Sequence, residues 1–231
     1  LEELLISEKA GDKNAILVFQ EYEKELEKNN AFDFDDLIEK PVALFHKNPQ
    51  ILNKYQEKFD AVLVDEYQDV NPKQYELIKL LAGKTGNLSV VGDDQQMIYG
   101  WRYANLNIFL NFEKDWPGSR VTLLEENYRS TQNIITAAST LIQNNKYQKP
   151  KNLWTKNPKG GPIKISEVGN EEEEAALVVE KISETLKPKT SNLKPRETTA
   201  ILYRTNAQSR PIEQAFLEAN ISYQIFGGVR F

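Results

Sequence analysis

Two carboxylates follow the first short apolar run of the chain. Residues 61–64 read Ala-Val-Leu-Val, a pattern typical of a strand buried on both faces of a parallel sheet, and Asp65 and Glu66 come directly after it. Open α/β sheets bind ligands at the carboxyl ends of their strands. In nucleotide hydrolases, the first such acid holds Mg²⁺ and the second orients or deprotonates the attacking water. The alternative is that both acids only end the strand and cap the next helix.

A second apolar run, residues 88–91, precedes Gly92, Asp93 and, three positions later, Gln96. Neighbouring strands lie about 4.8 Å apart, so the tips of both strands can line one crevice. A neutral glutamine at this edge can contact the terminal phosphate of a nucleotide or align a water. The alternative is a tight glycine–aspartate turn without chemistry.

Aromatic side chains alternate with an arginine shortly after this turn, at Tyr99, Trp101, Arg102 and Tyr103. Such a group suits the stacking of bases from a single nucleic-acid strand, which is worth about 1–3 kcal/mol per base. The alternative is an aromatic cluster in the protein core, which is the more common position of tryptophan and tyrosine.

A third apolar run, residues 121–124, is followed by Glu125, Glu126 and Arg129. Because a helical pattern begins at Ser130, we expect Arg129 to lie near the tip of a strand. There it could reach a bound nucleotide as an arginine finger, or form a surface salt bridge with Glu125 or Glu126.

The sequence Gly83-Lys84-Thr85 imitates the end of a phosphate-binding P-loop. That loop has a glycine five residues before its Gly-Lys pair, follows a strand and opens a helix. Here Ile78 stands at the glycine position and the segment follows a helical pattern. We therefore interpret Gly83 as the end of a helix.

Strand and helix patterns alternate along the chain. Asn71 and Pro72 are typical of a helix start, so this helix and its flanking strands form a βαβ unit with a parallel sheet. Residues 1–57 read as helical, with an interruption at Pro41. The pattern predicts an α/β fold. Further strands are predicted at 121–124, 163–168, 199–203 and 222–226, and further helices at 130–145, from Asn170 onwards and at 207–219.

The chain has 231 residues, a net charge of −5, no cysteine and one histidine, His46. These counts exclude disulfide scaffolds, thiolate zinc sites, cysteine nucleophiles and multi-histidine metal sites. A metal here would be a hard cation held by carboxylates and phosphates. No apolar run approaches the roughly 18 residues of a membrane span. Because the sequence begins with leucine, we expect a piece of a larger, cytoplasmic protein.

Residues 146–164 differ in composition from the rest of the chain. They contain six lysines, three prolines, a Gly-Gly pair and no acid. Because like charges repel and proline and glycine resist regular structure, we expect an exposed, mobile loop that joins two domains.

Six sequence stretches, in their order and spacing, resemble those of the superfamily-one UvrD/PcrA/Rep helicases. The resemblance implies two RecA-like domains with parallel sheets flanked by helices, ATP in the cleft between them, single-stranded DNA across their top, and 3′-to-5′ translocation. It implies a helical segment at 1–57, the latter half of the first RecA-like domain at 58–123, and the start of the second at 124–231. The stretches are AFDFDDLI (31–38), VDEYQD (64–69), VGDDQQMIYGWR (91–102), LLEENYRST (123–131), LYRTNAQSR (202–210) and YQIFGG (223–228).

The resemblance also implies roles for individual residues. Asp65 would bind Mg²⁺ with Glu66, and Glu66 would be the catalytic base. Gln96 would contact the γ-phosphate of ATP, Arg129 would be the arginine finger, and Tyr128 would stack on adenine. The residues implied to contact single-stranded DNA and its junctions with duplex DNA are Phe34, Tyr99, Trp101, Arg102, Arg204 and Asn206.

This sequence departs from the usual family pattern at three positions. Gln95, Met97 and Tyr103 stand where the family commonly has Asp, Ser and Gly. The P-loop and the later family motifs are not part of this sequence, so we expect the isolated chain not to hydrolyse ATP. One alternative is a nucleic-acid-binding module without catalytic activity. Another is a Mg²⁺-dependent nuclease that would use Asp65, Glu66, Asp69 and Asp93.

Overall fold

The computed structural model describes residues 13–186 and 198–226. The chain divides into two compact units, Leu1–Gly161 and Pro162–Phe231. The second unit contains helices α8 (Glu171–Leu186) and α9 (Ser209–Glu218). The first unit contains helices α1 (Lys13–Lys28), α2 (Asp36–Lys47), α3 (Pro49–Lys58), α4 (Pro72–Ala82), α5 (Leu106–Leu110), α6 (Phe112–Asp115) and α7 (Gln132–Ile142), and strands β1 (Val62–Val64) and β2 (Leu88–Val90).

Strand β1, helix α4 and strand β2 form the predicted βαβ unit. The two strands are parallel, with Val64 opposite Val90. Helix α4 begins with Pro72 after a capping box, in which the Asn71 side chain accepts the Gln74 N–H at 2.9 Å and the Gln74 side chain accepts the Asn71 N–H at 3.0 Å. The parallel pairing and the helix start are therefore confirmed.

One face of this two-stranded sheet packs on the core of the first unit. Val64 packs against that core, and Tyr67 packs edge-on against Phe112 with ring centroids 5.5 Å apart. Leu63, on the opposite face, is 77% exposed. The prediction of a strand buried on both faces is therefore wrong, because the described residues cover only one face of it. The buried members of this core are Tyr67, Val70, Ile78 and Ile108.

Helices α1 to α3 confirm the helical prediction for the described part of residues 1–57. Helix α2 runs through Pro41 without a break, so the predicted interruption is wrong. A proline inside a helix removes one backbone hydrogen bond. Val42 and Phe45, which follow it, are almost fully buried, and their packing offsets that loss.

In the second unit, helices α8 and α9 pack together around Ala175, Ile212 and Phe216. Asn170 caps α8 as predicted, because its Oδ1 accepts the Glu173 N–H at 2.8 Å. Four glutamates occupy the first turn of α8, where the helix dipole favours negative charge.

Four of the predicted strands do not form within the described residues. The nearest feature is an isolated bridge between Glu126 and Trp154. Ile165 and Leu202 are each 94% exposed. An apolar run becomes a strand only where a neighbouring strand pairs with its backbone, and the two-stranded sheet provides no such neighbour for these runs. The four runs are 121–124, 163–168, 199–203 and 222–226.

The later helices differ from their predicted bounds by a few residues. Thr131, rather than Ser130, takes the N-cap position of α7, and α7 ends at Ile142 rather than near Asn145. Helix α9 begins at Ser209, after a 3₁₀ turn that occupies the start of the helix predicted at 207–219.

Residues 146–164 form no helix and no paired strand ladder, as their prolines and glycines predict. They are nevertheless held by specific contacts. Lys151 forms an ion pair with Asp93, and the Asn157 side chain donates to the backbone carbonyl of Tyr128 at 3.0 Å. Residues 148–157, which we call the connecting segment, are therefore only partly exposed, and the prediction of exposure is wrong for the half-buried Lys151 and Asn157. The mobility of residues 146–164 stays a prediction.

We expect Asn71→Ala to lower the free energy of unfolding by about 1 kcal/mol, because the Gln74 N–H loses its acceptor. Urea denaturation followed by circular dichroism measures this change. Lys73→Ala, in the same exposed turn, is the matched control and should change the free energy by less than about 0.5 kcal/mol. Equal losses in the two variants would contradict the role of the cap.

Candidate functional site

Asp65 and Glu66 lie exposed at the carboxyl end of strand β1. The Asp65 Oδ1 accepts the Glu66 N–H at 2.9 Å, and Glu66 has a left-handed backbone with φ of 50°. A non-glycine residue in this region costs about 1–2 kcal/mol, and such strain concentrates at functional sites. The turn therefore presents both carboxylates at the edge of the sheet where α/β folds bind ligands.

Gln68 is a buried link between the ends of the two strands, with 1% of its surface exposed. Its Nε2 donates to the Glu66 carboxylate at 2.8 Å, and its Oε1 accepts the Asp93 N–H at 2.9 Å. Gly92 leaves the space for this amide, because a Cβ there would stand 2.6 Å from the Gln68 Oε1. No local pattern in the sequence indicates this role of Gln68, although the residue lies within the stretch 64–69 that carries the family resemblance.

Asp93 and Asp94 hold the turn after strand β2 in place through contacts within the turn and with the connecting segment. The Asp93 carboxylate accepts the Gln95 N–H at 3.0 Å and pairs with Lys151. The Asp94 carboxylate, almost fully buried, accepts the Lys149 N–H at 2.7 Å and lies 3.3 Å from the Lys151 ammonium. Partial burial acts to raise the pKa of Asp93, but the bonds from Lys151, Gln96 and Gln95 outweigh it, so this pKa lies below its ordinary value.

Gln96 is exposed on the same turn, and its Nε2 donates to the Asp93 Oδ2 at 2.8 Å. The amide of Gln96 is therefore oriented by a carboxylate rather than free in solvent. The alternative of a plain glycine–aspartate turn does not describe this arrangement, because the turn carries an ion pair and two side-chain amide contacts.

Tyr99, Trp101 and Arg102 form an exposed aromatic group. The two rings lie 6.1 Å apart at 55°, and the Arg102 guanidinium lies 4.5 Å from the Trp101 ring centre, within cation–π range. Trp101 is 70% exposed, so the alternative of a core aromatic cluster is wrong. Tyr103, which ends this group, has a left-handed φ of 65°, a conformation that favours the glycine usual in the family.

The loop that carries Tyr128 and Arg129 is shaped by Asn127, whose Oδ1 accepts the N–H groups of Arg129 and Ser130 at 3.0 and 2.8 Å. Both Tyr128 and Arg129 are exposed. The Tyr128 hydroxyl donates to Glu126 at 2.9 Å, which raises the pKa of Tyr128.

The alternative of a salt bridge from Arg129 to Glu125 or Glu126 is not formed in the described part of the chain. The Glu126 carboxylate pairs with Lys156 at 3.1 Å, and the Glu125 carboxylate accepts the Asn152 N–H at 2.6 Å. Both acids are thus engaged by the connecting segment.

The connecting segment joins the Asp93 turn to the Arg129 loop. It pairs with Asp93 through Lys151, exchanges backbone hydrogen bonds with Glu125 and Asn127 through Trp154, and reaches the Ser130 carbonyl through Asn157. One stretch of chain therefore fixes two of the loops that carry predicted site residues.

Within the described part of the first unit, no contact joins Phe34 to the aromatic group. Phe34 lies 90% exposed just before α2. Arg204 and Asn206 lie in the second unit, exposed, where the Gln208 side chain accepts the Arg204 N–H at 2.9 Å.

Asp65 and Glu66 have the chemistry that Mg²⁺ prefers. This ion is usually held by one or two carboxylates together with substrate phosphates. In the described ranges, no three acidic or histidine side chains converge on one possible metal position.

Burial and the neighbouring charge of Glu66 raise the pKa of Asp69, and one of its buried carboxylate oxygens has no partner among the described residues.

We expect Gly92→Ala to lower the free energy of unfolding by about 1–3 kcal/mol, because the new methyl group would meet the Gln68 amide and the Phe109 ring at less than 3 Å. Urea denaturation measures the loss. Gly161→Ala, where a Cβ meets nothing within 4 Å, is the control. A Gly92→Ala protein as stable as the control would show that the Gln68 link is not tightly packed.

None of the helices in the described ranges is both long and apolar enough to cross a membrane.

The whole chain is similar to known proteins in its sequence. The sequence model of the UvrD/REP helicase N-terminal domain matches residues 2–117, and that of the UvrD-like helicase C-terminal domain matches residues 122–231. The chain is 47% identical over 214 residues to the ATP-dependent DNA helicase PcrA of Staphylococcus aureus strain Mu50, and 49% identical to that of Staphylococcus epidermidis strain RP62A. Each match covers 93% of this chain, and the chain spans 29% of the length of each relative. The chain belongs to the UvrD/REP helicase family.

Proposed function

We propose that this chain is part of an ATP-dependent DNA helicase that moves 3′ to 5′ along single-stranded DNA and unwinds duplex DNA in replication or repair. The observation that carries the proposal is the connecting segment, which holds the Asp93–Gln96 turn and the Tyr128–Arg129 loop in one compact unit. The relatives that the chain resembles are named as ATP-dependent DNA helicases.

The carboxylates at the end of strand β1 serve the nucleotide in this proposal. Asp65, with Glu66, holds Mg²⁺, which neutralises charge on the phosphates when it is bound. Glu66 is the general base. The Gln68 amide donates a hydrogen bond to the Glu66 Oε2 at 2.8 Å. The other carboxylate oxygen of Glu66 therefore remains to accept a proton from the attacking water.

The amide and arginine side chains recognise ATP itself. Gln96 contacts the γ-phosphate, and its bond to Asp93 sets the direction of its amide. Arg129, which has no ion pair among the described residues, offers its charge to the phosphates as an arginine finger. Tyr128 is fixed at its hydroxyl by Glu126 and presents its ring to adenine.

The exposed aromatic group serves the DNA. Tyr99 and Trp101 stack on bases, and Arg102 extends this surface because its planar guanidinium lies over both rings. Phe34 supplies a further stacking ring. Arg204 and Asn206 contact the strand from the second unit.

The proposal includes a RecA-like fold for the complete domains. In it, the βαβ unit belongs to the first RecA-like domain, over residues 58–123, and residues 124–231 begin the second. Residues 1–57 are the helical segment that precedes them.

We expect Trp101→Ala to weaken binding of a fluorescein-labelled oligothymidine to this chain by about tenfold, because one base loses its stacking partner. Fluorescence anisotropy measures the dissociation constant. Binding should also weaken as salt rises, since phosphate contacts release counterions.

Tyr147→Ala is the matched control, because Tyr147 is an equally exposed aromatic residue within the lysine-rich residues 146–164. We expect it to bind as the unchanged chain does. If Tyr147→Ala weakens binding and Trp101→Ala does not, the lysine-rich residues, rather than the aromatic group, hold the strand.

We expect the isolated chain not to hydrolyse ATP, with or without DNA, because its sequence contains no P-loop to hold the β- and γ-phosphates.

In the complete helicase, DNA-stimulated phosphate release should be lost in Glu66→Gln, which removes the base but keeps the shape of the side chain. Asp60→Asn, an acid outside the site, is the control. Full activity of Glu66→Gln in the complete protein would show that Glu66 is not the base, whereas a complete protein without any DNA-stimulated ATP hydrolysis would favour the alternative of a nucleic-acid-binding module.

A further inference from the structure

We propose that Lys151 is a positioning residue for Gln96, acting through Asp93. The inference rests on the proposed function, in which Gln96 contacts the terminal phosphate of ATP. Nothing in the lysine-rich composition of residues 146–164 distinguishes Lys151 from its neighbours, and the structure alone assigns it this place.

Lys151 is more buried than the two other lysines of the connecting segment. Its side chain is 13% exposed, whereas those of Lys149 and Lys156 are 24% and 77% exposed. It contacts two acids at once, since its ammonium pairs with Asp93 and lies 3.3 Å from Asp94. An ammonium group is costly to remove from water, so this placement depends on both carboxylates.

Asp93 divides its two oxygens between the lysine and the glutamine. The Asp93 Oδ1 accepts hydrogen bonds from the Lys151 ammonium and the Gln95 N–H. The Asp93 Oδ2 accepts one from the Gln96 Nε2 at 2.8 Å. A carboxylate only accepts hydrogen bonds, so the amide nitrogen of Gln96 must face it. That nitrogen carries two hydrogens, and the second one is left for a phosphate oxygen.

The charge of Lys151 has a second effect at this place. Asp93 without a cation would present an uncompensated negative charge beside a triphosphate and would repel it. With Lys151 in place, Asp93 can orient Gln96 while the ammonium group offsets part of the negative charge of Asp93 and Asp94. Gln96 thus depends on Lys151 for both its direction and its electrostatic surroundings.

The position of Lys151 in the connecting segment extends this effect to the Arg129 loop. The next residue, Asn152, donates its N–H to Glu125, and Asn157 holds the carbonyls of Tyr128 and Ser130. A displacement of this segment therefore moves Gln96 and the arginine loop together. Lys151, together with the Lys149 N–H on Asp94, is thus a contact through which the two loops keep a common position.

The test measures DNA-stimulated ATP hydrolysis by the complete helicase. We expect Lys151→Met, of similar length but neutral, to lower kcat at least about tenfold while KM for ATP changes less than about threefold, because a misplaced catalytic contact slows the reaction. Lys151→Arg restores a cation and should recover most of the rate. Lys146→Met, an exposed lysine of the same segment, is the control and should leave kcat unchanged.

A double variant separates positioning from general damage. If Lys151 acts mainly through Gln96, Lys151→Met should slow Gln96→Ala by a clearly smaller factor, about threefold or less, since only its effect on the Arg129 loop remains. A merely structural role would lower kcat by the same factor in both backgrounds. That multiplicative result, or an unchanged kcat in Lys151→Met, would overturn the inference.

Asp93→Asn covers the case in which Lys151→Met does not fold. It keeps an oxygen for Lys151 but replaces the acceptor of Gln96 by an NH₂ group, so kcat should fall by a similar factor. A full rate in Asp93→Asn would also overturn the inference. If Gln96→Ala itself keeps full activity, the proposed role of Gln96 fails instead, and the two failures are thereby distinguished.

Discussion

The buried amide of Gln68 is the contact on which the positions of the other site groups depend. A primary amide can be buried only if its donors and acceptor are satisfied, and here they are satisfied by Glu66 on one strand end and by the Asp93 N–H on the other. The absence of a side chain at Gly92 makes the approach possible. Because Asp93 in turn orients Gln96, a single buried side chain relates the position of Glu66 to that of Gln96.

Local signals made part of this arrangement predictable from sequence. The capping box of Asn71, the proline after it and the flanking apolar runs all act within a few residues, so the βαβ unit and its parallel pairing were correctly predicted. The predicted helix start at Ser130 differs by one residue from the structure, in which Thr131 takes the N-cap position without a side-chain hydrogen bond. The exposed Asp65 and Glu66 were found because their position after a strand is itself a local signal.

Other features depend on partners far along the chain, which no local pattern reveals. Gln68 meets Asp93 across 25 positions, and Lys151 meets it across 58. Lysine content alone predicted repulsion within residues 146–164, whereas the half-buried Asp93 and the buried Asp94 both attract Lys151. The apolar run at 199–203 failed as a strand for the same reason, since strand formation needs a neighbour that sequence cannot place.

The unequal burial of lysines along one segment has a consequence for chemical modification. Acetylation removes the charge of a lysine and requires an accessible amine. The amines of Lys156 and Lys159 are accessible to an acylating reagent, whereas the amine of Lys151 is enclosed by two carboxylates. Acylation of Lys151 would thus report that the connecting segment has left the Asp93 turn. A single side chain here can serve as a chemical reporter of whether the two loops are engaged.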